Sequence, residues 1–289
     1  MTELEAYYNK FNEEKRLNSR HGQVEYRISM KYIHIYLDEA AKRLGGSGTD
    51  CRSQIRLLDI GAGTGRYSVA LAEEGYDVTA VELVRYNLGV LKKKASSVKA
   101  MQGNALNLKK LESASYDVTL LFGPMYHLFG FEQKLRALSE ARRVTKPNGV
   151  ILVAYCMNEY GVITYGFKER NVLSCMAEER FTEDFKTIST PDKLYDYMRI
   201  EDIDALNEAA GLRRIKILSP DGPANYIRPF LNQLTDEEFE LFVRYQMAVC
   251  ERADLIGAGA HTVDILRRDC IGIKSEGGQY GHKSNHTRA

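Results

Sequence analysis

Leu57-Leu58-Asp59-Ile60-Gly61-Ala62-Gly63-Thr64-Gly65 decides how the chain is read. A short apolar strand runs into three glycines at alternate positions, and a helical pattern from Arg66 to Glu74 follows, closed by Gly75. A glycine in such a turn removes a Cβ that would block a ligand or forbid positive φ. The helix that follows offers unpaired N–H groups at its start to whatever polar group lies there.

Strand, turn and helix together make a nucleotide-binding unit of the Rossmann type. Dinucleotide sites usually read G-x-G-x-x-G, with a pyrophosphate on the helix end. Here the spacing is G-x-G-x-G, with Asp59 two residues before the first glycine. A carboxylate there would repel a pyrophosphate and attract a cationic amino-acid group. The pattern resembles motif I of the class I S-adenosylmethionine-dependent methyltransferases, whose cofactor carries an ammonium and a sulfonium. The resemblance implies S-adenosylmethionine as cofactor, S-adenosylhomocysteine as product, and Asp59, Gly61, Ala62, Gly63 and Gly65 around the methionine end. Glycine-rich turns also serve as plain tight corners, so the downstream residues decide.

Strand one is Ile55 to Ile60, and a second strand, Asp77 to Val81, ends in Glu82. Glu82 lies 21 positions after Gly61, close to the ~20-residue separation at which an acid meets ribose hydroxyls. One carboxylate can accept from both vicinal hydroxyls; the rival reading is a solvated glutamate at a strand end. Leu83 then becomes the apolar contact for an adenine. A helix from Arg85 to Lys94 ends in three lysines, which read as a solvated face. Strand three, Val98 to Met101, leads to Gln102-Gly103-Asn104-Ala105. The family commonly has Asp here, followed by a small residue, accepting from the adenine amino group. Asn104 departs from that pattern but keeps an acceptor oxygen, with Ala105 beside it; an Asn at a strand-end turn is also unremarkable by itself.

Strand four, Tyr116 to Phe122, breaks into Gly123-Pro124-Met125-Tyr126-His127-Leu128. Ligands of open α/β sheets sit outside the carboxyl ends of the strands, near the switch in strand order. Phe122 thus borders the cofactor, and the loop after it is where methyl and acceptor should meet. The loop resembles a variant of bacterial small-molecule methyltransferases and lacks the Asp/Asn-Pro-Pro-Tyr box of enzymes that methylate bases. An imidazole with pKa of about 6.5 suits a general base, so His127, with Tyr126 beside it, is the catalytic candidate. The alternative is a histidine that only holds the loop's shape.

The flanks are read more coarsely. Residues 1–50 form an N-terminal helical cap. Its helix runs from about Val24 to Leu44, with Ile28, Tyr32, Ile35 and Tyr36 at helical spacing, and a Gly-Gly-Ser-Gly linker follows. It is either a helix packed on the sheet edge or a cover that brings Tyr8, Arg20 or His21 to the site. The methyltransferase domain spans 51–274. A helix from Phe131 to Val144, a Lys146-Pro147-Asn148-Gly149 turn and strand five, Val150 to Tyr155, come first. The aromatic stretch 156–198 reads as a lid over the acceptor, with plain core packing as its rival. A helix from Ile200 to Ala210, strand six from Arg214 to Leu218, and a helical insertion at 229–256 opened by the Thr235-Asp236-Glu237-Glu238 capping box follow. A seventh strand, His261 to Leu266, runs antiparallel at the sheet edge in this family. Residues 275–289 read as a disordered tail.

Forty Lys plus Arg stand against 39 Asp plus Glu, so no strongly basic field is present to hold nucleic acid generally, and a local patch stays open. The five cysteines are scattered without a C-x-x-C pair, which fits a reducing cytoplasm and argues against disulfides or a zinc site; no metal is expected. The N-terminus is polar, which argues against a signal peptide, and no apolar run approaches a membrane span. Oligomeric state is left open. The expectation is an α/β, Rossmann-like, seven-stranded, mostly parallel sheet with an antiparallel edge strand. The expected function is methyl transfer to O or N of a small, partly apolar acceptor. An RNA methyltransferase would need a basic face that balanced charge does not advertise. A nicotinamide oxidoreductase would need the missing glycine spacing. A cofactor-binding protein without turnover stays open, because no single catalytic residue is indispensable to this fold.

Overall fold

The alternation of β1 (Arg56–Ile60) sorts its side chains to two faces: Leu57 joins one apolar cluster and Leu58 and Ile60 another. Layers on both sides follow from that, because a strand apolar on both faces needs cover on both. The computed structural model describes residues 19–45, 51–94 and 97–268. The calls on Tyr7, Tyr8, Phe11, most of the glycine linker and the 275–289 tail lie outside them.

After β1 come α1's successor α2 (Arg66–Glu73), β2 (Asp77–Glu82), α3 (Arg85–Lys94), β3 (Lys99–Gln102) and β4 (Tyr116–Leu121), where α1 is the helix Arg20–Arg43. The chain continues through α4 (Gly130–Val144), β5 (Thr145–Met157), α5 (Asn158–Gly161), a π-helical turn (Val162–Lys168) and α6 (Val172–Ala177). Then follow β6 (Tyr197–Met198), α7 (Ile200–Ala209), β7 (Leu212–Leu218), α8 (Arg228–Leu231), α9 (Asp236–Val249) and β8 (His261–Arg268).

The sheet order is β3-β2-β1-β4-β5-β8-β7, with the two-residue β6 paired to the end of β5 as an eighth strand. The pairings from β3 across to β5 are parallel, and β8 is antiparallel to both β5 and β7. The antiparallel strand therefore lies one place in from the edge, and β7 is the outermost strand. Lys146 to Gly149, expected as a turn, are a bulge inside β5: Tyr116 pairs with Thr145 and Val118 already with Val150. The extra residues are accommodated because Lys146 Nζ donates to both oxygens of Asp117 (2.9 and 2.8 Å) and Gly149 has no Cβ to strike the carbonyls of Tyr116 and Asp117.

α1 lies across the sheet face, not its edge. Val24, Ile28, Tyr32, Ile33 and Leu37 are buried with Leu57, Val118, Leu120 and Leu152, while Ile35 faces out at 44% exposure. Each such fully buried side chain is worth about 1.5–3 kcal/mol, so the helix is part of the core as well as a cover. Arg20 caps this arrangement from the side, donating to the carbonyls of Leu231 and Leu234 (3.1 and 2.7 Å). The opposite face carries α4 and α7, through Ala137, Leu138, Ala141, Ile203 and Leu206. α9 opens on the expected capping box: Thr235 Oγ1 accepts from Glu238 N–H (3.2 Å) and Glu238 Oε2 from Thr235 N–H (2.7 Å). It ends at Val249, short of the expected Ile256.

Candidate active site

Strand order reverses between β1 and β4, and a crevice opens where neighbouring strands send their connections to opposite faces. A single cavity of about 950 Å³ occupies that end of the sheet. Asp59, Gly61, Ala62, Gly63, Glu82, Leu83, Asn104, Ala105, Phe122, Tyr126 and His127 all line it. Gly65 does not. Its φ is +87°, and a Cβ there would lie 2.2 Å from Leu91 Cδ1, so its place in the pattern is set by packing of the turn on α3. Gly61 is needed for a similar reason: its Cβ would strike the Pro124 ring at 2.5 Å. The glycine turn and the loop after β4 thus close on each other.

Two carboxylates organise the cofactor end. Glu82, 5% exposed, accepts from Gly63 N–H and Val84 N–H, each at 2.8 Å. It ties the glycine turn to the end of β2 and faces the cavity at the same time. Asp59, 2% exposed, accepts from Ser68 Oγ at 2.5 Å. Burial pushes its pKa up to about 6, the nearby Glu82 charge adds to that, and the Ser68 hydrogen bonds oppose it. Among the described residues no cation pairs with this carboxylate, and a buried carboxylate gains most from meeting one. Leu83, an apolar side chain 39% exposed, stands at the wall with Ala105. Asn104 Oδ1 accepts from Leu106 N–H at 2.9 Å, so one of its two acceptor positions shapes the loop. Two buried carboxylates, the apolar Leu83 and Ala105, and Asn104 lining one cavity form a donor set that fits S-adenosylmethionine.

The far end of the cavity is aromatic. Tyr126, on a 3₁₀ turn from Pro124 to Tyr126, sits with its ring 6.2 Å from His127 and 5.4 Å from His261. Of the aromatics in 156–198, Tyr160, Tyr195 and Tyr197 line the cavity. Phe181 is buried in a satellite cluster with Val162 and Cys175, and Phe167 and Phe185 pack at the surface. His21, in the first turn of α1, lines the cavity; Arg20 does not. His127 Nδ1 lies 2.7 Å from the Leu194 carbonyl, which can only accept, so Nδ1 carries the hydrogen. Burial lowers the His127 pKa, the Leu194 hydrogen bond opposes this, and the Lys134 charge reinforces it. The ring is then neutral at pH 7, with Nε2 as its basic nitrogen. Lys134 is itself buried, paired with Asp196 at 2.7 Å, and fastens α4 to the segment that supplies Leu194.

Sequence reasoning missed one cluster. Glu25 of α1, Asp221 after β7 and His261 at the start of β8 bring one ligand-type atom each within 4.8 Å of one another. Their separation along the chain hides them, and His261 carries no signal beyond being the first polar residue of an apolar strand. Such a trio can hold either a proton on the imidazole or a cation.

Residues 58–153 match the family described as a methyltransferase domain. The demethylmenaquinone methyltransferase of Renibacterium salmoninarum is 34% identical over 111 residues, covering 38% of this chain and 44% of that protein. The protein of the same name from Beutenbergia cavernae is 26% identical over 176 residues, 60% of this chain and 68% of that one. The match to the first of these thus spans less than half of the relative's length. Among solved structures, an S-adenosylmethionine-dependent methyltransferase from Archaeoglobus fulgidus shares the fold, with TM-score 0.52, 18% identity, and coverage of 89% of this chain and 97% of that one. Among the described residues no helix is long and apolar enough to cross a membrane. The glycine turn, the sheet order and the match over residues 58–153 together support a class I S-adenosylmethionine-dependent methyltransferase domain in this chain.

Proposed function

We propose that the protein transfers the methyl group of S-adenosylmethionine to an oxygen or nitrogen atom of a small, partly apolar acceptor, releasing S-adenosylhomocysteine. The observation that carries this reading is the continuity of one cavity from Glu82 and Asn104, past the Gly61–Gly63 turn, to the aromatic wall of Tyr126, Tyr160 and Tyr195. The cofactor supplies an already electrophilic methyl group on a sulfonium cation. The chain's own part is then to position and to exclude water. Asp59 would hold the ammonium, Glu82 the ribose hydroxyls, and Leu83, Asn104 and Ala105 the adenine, with Phe122 closing the wall. Tyr126 and His127 stand at the end of β4 beside the site of transfer, and segment 156–198 covers the acceptor. The printed name of the two relatives gives demethylmenaquinone as their acceptor, a molecule with an apolar body, which accords with an aromatic wall. The free, buried thiols of Cys51, Cys156, Cys175 and Cys250 support a reducing, cytoplasmic setting.

Turnover tests the proposal. Protein and S-adenosylmethionine are incubated with panels of phenols, quinols and amines, and S-adenosylhomocysteine is read by mass spectrometry. Acceptor-dependent product bears the reading out. Tight cofactor binding with no acceptor-dependent product would replace it with a binding protein.

A further inference from the structure

The acceptor end holds a charged group that the scheme above leaves unused. His261 is the first residue of β8 and pairs with Cys156 near the end of β5. Because β8 runs against its neighbours, its first residue lies at the end of the sheet where the parallel strands have their carboxyl ends. It therefore faces the ligand cavity, with Tyr126 at 5.4 Å. Behind it, fully buried Asp221 accepts from Nδ1–H at 2.8 Å, from the His261 backbone N–H at 3.3 Å and from Asn225 Nδ2 at 2.8 Å. Glu25 Oε2 of α1 lies 3.7 Å from the same Nδ1. Both carboxylates thus address one edge of the ring, leaving Nε2 on the opposite edge.

Burial opposes charge on this ring, but the charges of Glu25 and Asp221, with the ring's hydrogen bonds to Asp221 and Cys156, override it and hold its pKa well above 6.5. His261 is then an imidazolium at neutral pH, and Nε2 is a donor. A second cation, Arg228, lies at the same wall, 3.4 Å from the Tyr160 hydroxyl. Glu25 and Asp221 balance these cations from the Nδ1 edge of the ring, whereas an oxyanion at the Nε2 edge would meet a positioned N–H donor.

Resting on the methyltransferase reading, we propose that the acceptor is an acidic hydroxyl compound, a phenol or enol, held as its oxyanion by Nε2–H of His261, with Asp221 as the positioning residue. The acceptor leaves its proton to solvent on binding. In the transfer the O–C bond forms from an oxygen lone pair, the C–S bond breaks with its pair returning to sulfur, and a neutral ether leaves. His261 keeps its proton throughout.

The probe is 4-nitrophenol, whose anion is yellow, titrated into protein saturated with S-adenosylhomocysteine at a pH where the free phenol is mostly colourless. The wild-type protein should turn the bound phenol yellow, and His261→Gln should abolish the colour and weaken binding about tenfold or more. Asp221→Asn should raise the apparent pKa of the bound phenol, a shift that a purely structural role would not produce. Benzylamine should not compete. Colourless binding, absence of binding, or displacement by benzylamine would each overturn the proposal without any appeal to the variants. So would Mn²⁺ binding that depends on Glu25, Asp221 and His261 and excludes the phenol. Calorimetry with S-adenosylhomocysteine separates the two levels: if it binds and no anion forms, the acceptor class alone is wrong. If it fails to bind wild-type protein, the methyltransferase reading falls and takes this inference with it.

Discussion

Asp59→Asn should make the ligand-free protein more stable and, at the same time, a poorer binder of S-adenosylhomocysteine. The folded-state pKa of Asp59 is raised from 3.8 to about 6. At 1.36 kcal/mol per unit this is roughly 3 kcal/mol working against folding at pH 7. The sign follows from the proton: the folded protein holds it more tightly than the unfolded chain. The cost is therefore absent below about pH 3.8, grows as pH rises, and is complete above about pH 6. Asparagine removes the buried charge and keeps a neutral hydrogen bond to Ser68, giving back about 1 kcal/mol of the charge-assisted one. The net gain is about 1–2 kcal/mol, and a chain of this size gains roughly 2–4 °C in Tm for each of those. Affinity moves the other way. Loss of a charged partner for the ligand's ammonium costs about 1.5–3 kcal/mol, a ten- to hundredfold rise in Kd. Wild-type affinity should also fall by up to about tenfold per pH unit below pH 6, where Asp59 takes up its proton, while the variant stays flat. Thermal melts with calorimetric titrations at neutral and acid pH measure both. A variant that melts lower and binds as well as wild type would refute the reasoning.

Glu82→Gln leaves one acceptor oxygen for the two N–H groups of Gly63 and Val84, and titration should show S-adenosylhomocysteine bound roughly ten- to a hundredfold more weakly. Gly65→Ala and Gly63→Ala form a pair. Both place a side chain at positive φ, a strain of about 1–2 kcal/mol, but only Gly65→Ala also drives a Cβ into Leu91, which adds about 1–3 kcal/mol; the first should melt well below the second. Lys134→Met strands Asp196 and the Leu128 carbonyl, which Lys134 Nζ serves together. Urea unfolding should show a loss of roughly 3–5 kcal/mol for this broken buried pair.

What could be read from the chain was local. Asp59, the glycine spacing and Glu82 lie within one strand–turn–helix–strand unit, where hydrogen bonding and sterics act over few residues, and their convergence on one cavity follows from that unit alone. The same local view overreached at Gly65, because the Leu91 contact that fixes it comes from the next helix. It also took Lys146 to Gly149 for a turn, since Pro-Asn-Gly has turn chemistry whether it reverses the chain or bulges a strand. The site's other wall is assembled from distant segments. α1 brings Glu25, the loop after β7 brings Asp221, and β8 brings His261, and only the sheet order sets them side by side. No periodicity or spacing in the sequence encodes that meeting.

Calorimetric titration with S-adenosylhomocysteine, with NADH as control, tests the central claim most directly. The cofactor end described above predicts one-site, micromolar binding of S-adenosylhomocysteine and no heat from NADH. Binding of NADH, or of neither ligand, would contradict it and with it the roles given to Asp59, Glu82 and Asn104.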